Sequence, residues 1–298
     1  MYYPILRGKQ YELIALRELL QNGQLSPQIT PIIEPTRASS TFKSVLQAFN
    51  EAERDLAVIQ NSSVVEYQPF DDEEVNQMKQ AEHFIPAQLI HSSTDLTVLG
   101  AFENPQIMGI ITKADNPDID LDDPTWQRAI EVVDVGQRLL RRSTGERVEL
   151  REAFKPKKRN SDYQGDQDEF FSEDHQYFAD DGYAGFSDYS VIDSEYKENG
   201  FAPYAVAIHI VYLDQNDQLR IRHFVSDSNE DYNDPAKKFS EALTHLCDWY
   251  DASGIASSRN DTQALRTFVA MHESGIYSGL GIIKKLSIQH HLEVVGKY

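Results

Sequence analysis

Positive charge is scarce in this sequence: 28 Lys and Arg stand against 48 Asp and Glu in 298 residues, a formal net charge of −20. An acidic surface of that kind repels phosphate backbones and attracts cations or basic proteins. Direct nucleic-acid binding is therefore not expected. The one dense basic run, Phe154-Lys155-Pro156-Lys157-Lys158-Arg159, is followed at once by acidic sequence. Cysteine is nearly missing. Cys247 stands alone, which excludes an intramolecular disulfide and suits a reducing compartment. No run approaches the roughly 18–20 apolar residues of a membrane span, so no membrane partner is expected. The opening Met1-Tyr2-Tyr3-Pro4-Ile5-Leu6-Arg7 lacks a basic segment followed by an apolar one, so no signal peptide is expected and the location is read as cytoplasmic. No glycine-rich loop follows the first apolar stretch, which weakens a dinucleotide-binding, doubly wound sheet. His-Glu-x-x-His and paired cysteines are missing too, so neither a metal nor a cofactor is expected.

What is present is an ordinary globular balance, 40% hydrophobic and 26% charged, enough to bury a sizeable core. Short apolar stretches alternate with segments of helical spacing. Tyr2 to Leu6 reads as a strand, and Glu12 to Leu20 as a helix with Leu13, Leu16, Leu19 and Leu20 on one side. Ile29 to Ile33, Leu56 to Gln60, Phe84 to Ile90, Gln106 to Thr112 and Glu131 to Val135 read as further strands with helical stretches between them. This rhythm implies a parallel sheet with crossover helices. The predicted fold class is α/β, a TIM-barrel-like (β/α) barrel covering 1–298 as a single domain. Its C-terminal half is expected to be irregular. There, 161–181 is rich in acidic and aromatic residues without an apolar period and is read as a long mobile acidic loop. Tyr183 to Ile192 reads as a strand. Tyr204 to Leu213 and Leu219 to Val225, around Asp214-Gln215-Asn216-Asp217, read as a β-hairpin. Helices are expected at Pro235–Tyr250, Thr262–Glu273 and Gly279–His291.

The stretch Tyr3-Pro4-Ile5-Leu6-Arg7-Gly8-Lys9-Gln10-Tyr11-Glu12-Leu13-Ile14-Ala15-Leu16, followed by Ile32-Ile33-Glu34-Pro35, resembles the phage beta protein family and its bacterial relatives. Gly185-Phe186-Ser187-Asp188-Tyr189-Ser190 is similar to a later block of that family. The resemblance implies a barrel-like α/β fold and an origin in phage-related or defence-associated gene neighbourhoods. It assigns no catalytic residues. Pro35 departs from the pattern and stiffens the turn after Glu34.

In a parallel barrel the C-terminal ends of the strands converge on one face. That rule gathers Arg7, Lys9, Glu34, Arg37, Asn61, His91, Lys113, Asp115, Asp134 and Asp188. Arg7, Lys9, Arg37 and Lys113 are candidate ligand-binding cations for a phosphate or carboxylate. Glu34 and Asp188 are the candidate catalytic carboxylates. The competing reading pairs Glu34 with Arg7 or Arg37 for structure alone. Glu12 belongs to the first helical turn, where a carboxylate favours the helix dipole. Among the nine histidines, His209 and His223 lie on the two hairpin strands where they can face each other, and His290 and His291 are adjacent on a helix and point about 100° apart. Two functions follow. One is a component of a phage-defence or phage-related module that acts through a protein partner, such as a neighbouring gene product, with the acidic aromatic stretch as its docking surface. The other is an enzyme or binding protein for a phosphorylated or nucleotide-like small molecule at the barrel mouth.

Overall fold

The computed structural model describes residues 1–113, 115, 117–135, 145–192, 194 and 204–298. The chain divides into two compact units, Met1–Glu152 with Asp174–Tyr189, and Ala153–Glu173 with Ser190–Tyr298.

The first unit contains β1 (Ile5–Leu6), α1 (Gln10–Gln21), β2 (Ile32–Ile33), α2 (Ser40–Glu51), β3 (Leu56–Ile59), α3 (Glu73–Met78), β4 (Phe84–Leu89), α4 (Ser93–Gly100), β5 (Met108–Ile111), α5 (Pro124–Arg128), β6 (Ile130–Asp134) and β7 (Glu146–Leu150). After β8 (Asp168–Ser172), which belongs to the second unit, it adds α6 (Asp174–Tyr177) and β9 (Gly185–Ser187). Its sheet has eight strands in the order β1-β2-β3-β4-β5-β6-β7-β9, every pairing parallel. The last strand returns to the first. Tyr3 N–H donates to Phe186 O (2.9 Å) and Ile5 N–H to Asp188 O (2.8 Å). The result is a nearly closed TIM-barrel-like sheet flanked by helices, the fold class the sequence implied.

Side chains alternate across a strand, so register sorts them into two faces. Ile5, Ile32, Ala57, Ile85, Met108, Ile130, Val132, Val148 and Gly185 fall on one face through successive pairings. Gly109, Glu131, Val133, Glu149 and Phe186 fall on the other. Trp126 of α5 marks the second face as the outer, helix-covered one. It lies so close to Gly109 that a Cβ there would meet the indole ring at 2.7 Å. The helices dock by the apolar stripes seen in the sequence: Leu13, Leu16 and Leu19 of α1 and Phe42, Val45, Leu46 and Phe49 of α2 are all buried. Burying each such side chain is worth about 1.5–3 kcal/mol.

The second unit is built differently. β10 (Ala207–Leu213) and β11 (Leu219–Val225) form the expected hairpin, and β8 pairs antiparallel with β11 to give the order β10-β11-β8. Three helices follow, α7 (Pro235–Ala252), α8 (Gln263–Ser274) and α9 (Leu280–Val295). They bury Phe239, Leu243, Leu246, Leu265, Phe268 and Leu286 with Ile208, Ile210 and Phe224 of the hairpin. Cys247 sits in this core, where burial pushes its thiol up to about 11.

The structure differs from the sequence reading at four points. The stretch 161–181 is not an irregular loop; it carries a 3-10 turn (Asn160–Gln164), β8 and α6. The strand expected over Tyr183 to Ile192 reduces to β9. β7 has no counterpart among the predicted strands. Only Val148 and Leu150 carry its apolar alternation, because its outward residues are charged: Arg147 donates to Gly182 O (2.9 Å), and Glu149 pairs with Arg151 (2.5 Å). The barrel expected over 1–298 draws all its strands from the first unit. No helix among the described residues is long and apolar enough to cross a membrane.

Candidate functional site

The C-terminal ends of the barrel strands are held by unusual local geometry at the first turn. Gly8 has a φ of +64°, and a Cβ at that position would come within 2.9 Å of Glu34 O. Only glycine meets both conditions without strain. Next to it, the backbone N–H of Arg7 donates to the buried carboxylate of Glu12 (2.7 Å) in the first turn of α1. Glu12 thus acts on the strand end as well as on the helix dipole. These contacts fix where the Arg7 side chain leaves β1.

By alternation from Ile5 and Ile32, Arg7 and Glu34 both point to the inner face. They meet there as a buried ion pair through Arg7 Nη1 and Glu34 Oε2. The other oxygen of Glu34 accepts from Ser63 N–H (2.8 Å) and Ser63 Oγ–H (2.6 Å) in the loop after β3. The Arg7 guanidinium lies 5.4 Å from the centre of the Tyr189 ring, just beyond β9. Arg7 Nε–H is buried and has no hydrogen-bond partner among the described residues. Burial pushes the Tyr189 phenol up to about 12. The Arg7 charge works against that rise, and Glu152, Glu34 and Asp134 add to it. One arginine and three carboxylates therefore act on one buried phenol at the mouth of the barrel.

Asp188 stands elsewhere. It follows Phe186 on the outer face and accepts a hydrogen bond from Tyr2 Oη–H (2.6 Å), while the Tyr2 and Phe186 rings stack at 4.8 Å. Burial, then the Asp188 charge and hydrogen bond, raise the Tyr2 phenol far above its ordinary value. The structure brings Glu34 and Arg7 together and places Asp188 on the opposite face of the sheet, at the seam where β9 meets the N-terminal strand. Lys9 is the half-buried N-cap of α1, and Arg37 and Lys113 are exposed at the loops after β2 and β5. Asn61 stitches β3 to β4 through both polar groups of Leu89, each at 2.8 Å. His91 meets Asp115 at 2.5 Å, and Asp115 also accepts from Thr112 N–H and Oγ–H (3.1 and 2.8 Å).

Tyr189, Glu152 and Ser63 were not among the sequence candidates. Glu152 lies two positions past Leu150, and Tyr189 two past Ser187, so both would have been found once β7 and β9 were recognised. Among the described residues no group of three His, Cys, Asp or Glu side chains is arranged to hold a metal ion.

In the second unit, His209 and His223 are direct cross-strand partners, with their Nδ1 atoms 2.7 Å apart. His290 and His291 are both fully buried and have separate partners. His290 bridges Thr262 Oγ (2.7 Å) and Val211 O (2.7 Å), and His291 meets Ser190 Oγ (2.9 Å).

No family model matches the chain, and no curated protein matches it. Among solved structures, a thiamine phosphate pyrophosphorylase from Pyrococcus furiosus is similar over 64% of this chain and 86% of its own, at 14% identity and a TM-score of 0.28. A superposition at that score carries no weight for function, and the barrel rests on the strand order and register of this chain itself.

Proposed function

We propose that the barrel of the first unit binds a small phosphorylated molecule, nucleotide-like or sugar-like, at its C-terminal mouth. The observation that carries this reading is the buried Arg7–Glu34 pair at the inner face. A buried ion pair is a poor way to gain stability, since desolvation offsets most of the attraction. It sits at the end of the barrel where this architecture places its sites. Exposed Arg37 and Lys113, with Lys9, supply cations for a phosphate at the rim. Glu34, Asp134 and Glu152 supply acceptors for ligand hydroxyls or amines. Glu34 is the group positioned to exchange a proton with a bound ligand. Asp188 secures the β9 seam through Tyr2 and takes no part in that exchange.

The test uses ribose 5-phosphate, AMP and inorganic phosphate as probes and reads unfolding of the barrel by Trp126 fluorescence in a Trp249→Phe background. At least one probe is expected to raise the barrel midpoint in the parent, and an Arg37→Ala, Lys113→Ala double variant to lose that rise. If all three leave the midpoint unchanged, or if the double variant responds like the parent, the reading is wrong.

The second reading, a phage-related module component acting through a protein partner, draws on the resemblance at residues 3–16, 32–35 and 185–190. One structural feature favours it. Phe170 is exposed on β8, the last strand of its sheet among the described residues. Deleting 161–181 would remove a strand, so Phe170→Ser is the cleaner probe. Pull-down of the neighbouring gene product should weaken, and retention at full strength would reject Phe170 as a contact.

A further inference from the structure

A cleft of about 480 Å³ opens in the second unit where β11 meets the last turns of α7. That volume is within the range of small-molecule sites. α7 contributes His245, Asp248, Trp249 and Ala252 to it. Their i, i+3, i+4, i+7 spacing sets them on one stripe of the helix. β11 contributes Arg222 and Phe224, which alternation puts on one face of the strand. Trp249 and Phe224 pack with ring centres 5.4 Å apart and form an aromatic wall.

The charges in this cleft are of both signs and do not neutralise each other. Arg222 shares its counterion. Asp168 accepts from Arg220 Nε–H (2.6 Å), Tyr212 Oη–H (2.7 Å) and Arg222 Nη1–H (3.3 Å). One carboxylate therefore serves two guanidiniums, and Arg222 has the longest of the three contacts. The Arg222 guanidinium lies 5.9 Å from the centres of both the Phe224 and the Trp249 rings, which hold it at the cleft wall. Its remaining N–H groups can donate to an oxyanion in fork geometry. The acidic groups are Asp227 and Asp248. Asp227 meets His245 Nε2 through both oxygens, at 3.1 and 3.2 Å. Asp248 is exposed and forms no ion pair with the described residues. The last turn of α7 carries no basic residue, so its carbonyl end adds to the negative potential there. Neither aspartate pairs with Arg222. Opposite charges that share a cleft without touching suit a ligand that carries both signs.

We infer that this cleft is a second ligand site, built wholly within the second unit, for a zwitterion with an apolar side chain: a free amino acid or a short peptide. Its carboxylate meets Arg222, and its ammonium meets Asp248 and Asp227. Its side chain packs on Trp249 and Phe224. A ligand with only a negative charge would meet two uncompensated aspartates, and one with only a positive charge would meet Arg222. The cleft therefore selects the dipolar form over either half.

The test titrates the full chain by calorimetry with L-phenylalanine and glycyl-L-phenylalanine. Phenethylamine (no carboxylate) and 3-phenylpropionate (no ammonium) keep the ring and serve as comparators. Trp249 fluorescence in a Trp126→Phe background places the ligand. At least one zwitterion is expected to bind and to change the Trp249 signal, with both comparators at least tenfold weaker. Arg222→Met should fold normally, because Asp168 keeps Arg220 and Tyr212. Asp248→Asn should also fold normally, because the side chain is exposed. Each should weaken the zwitterion by roughly tenfold. Arg222→Met should not weaken phenethylamine, and Asp248→Asn should not weaken 3-phenylpropionate. The inference is overturned if neither zwitterion binds, or if a comparator binds as tightly. Binding that leaves Trp249 unchanged, or unchanged affinity in both variants, overturns it as well.

Discussion

The two units bury polar groups in opposite ways. The barrel unit concentrates ionised groups at one end of a parallel sheet, where Arg7, Glu34, Asp134 and Glu152 surround Tyr189. The hairpin unit buries neutral imidazoles instead, with His209, His223 and His290 each held by a specific partner. Ion pairs are sensitive to loss of one partner, because the survivor is stranded in a poor solvent. Neutral histidines are sensitive to proton concentration. The same insult should therefore affect the two units unequally. Each unit contains one of the two tryptophans, Trp126 in the barrel and Trp249 in the hairpin unit, so single Trp→Phe backgrounds report on them separately.

The largest expected effect is on the barrel. Arg7→Met removes the cation from Glu34 while Ser63 still binds only one of its oxygens. Denaturant unfolding followed by Trp126 should show a loss of about 3–5 kcal/mol. The Trp249 transition should move far less. Adding Glu34→Gln to Arg7→Met should recover much of the loss, because the stranded charge is gone. A double variant no better than the single one would mean that the charge pair is not what matters there.

Thr262→Ala should be the largest single effect on the hairpin unit, about 2–4 kcal/mol in the Trp249 transition. The Thr262 hydroxyl accepts from Leu265 N–H (3.1 Å) to cap α8 and donates to His290 Nδ1 (2.7 Å), whose Nε2–H is already given to Val211 O. Alanine leaves both a helix end and a buried imidazole unsatisfied. Thr262→Ser keeps the hydroxyl and should restore most of the stability.

How far the sequence reveals each unit follows from the same contrast. The βα rhythm was legible from β1 to β6 because each strand and each covering helix has its own apolar stripe. β7 was not, since Arg147 and Glu149 occupy its outward positions and dilute the alternation to Val148 and Leu150. β8 was hidden for a related reason: Asp168, Glu169 and Phe170 hide a strand inside an acidic run. At the site, Arg7 and Glu34 were legible because both follow an apolar strand directly. Asp188 was misplaced to the mouth because strand ends fix only the end of the barrel. Which face a residue occupies depends on register, and a slip of one residue reverses it. The His209–His223 pairing was readable because a hairpin fixes its own register.

Acid should separate the units next. Burial holds His209 down to about 3 and His290 to about 4, against an ordinary value of about 6.5 in the unfolded chain. The folded values lie below the unfolded one, so as pH falls below about 6.5 the unfolded chain binds protons that the folded chain refuses. Stability from these groups is full above that pH and is lost progressively from about 6.5 down to about 4 for His290 and about 3 for His209, at no more than about 1.4 kcal/mol per pH unit for each group. Carboxylate ion pairs fail only at the lower end of that window. The Trp249 midpoint should therefore fall between pH 7 and 5, and His209→Gln should reduce the slope. A midpoint flat over that range would mean that these imidazoles are protonated in the folded chain.

The smallest effect calibrates the others. Ser39 caps α2 as Thr262 caps α8, accepting from Phe42 N–H at 3.2 Å, but its hydroxyl serves no buried imidazole. Ser39→Ala should cost only about 1 kcal/mol in the Trp126 transition, the ordinary value of an N-cap. The difference between Thr262→Ala and Ser39→Ala then measures what the buried His290 adds to a cap. If the two substitutions cost the same, His290 draws its hold from Val211 alone, and the hairpin unit owes less to its histidines than their burial implies.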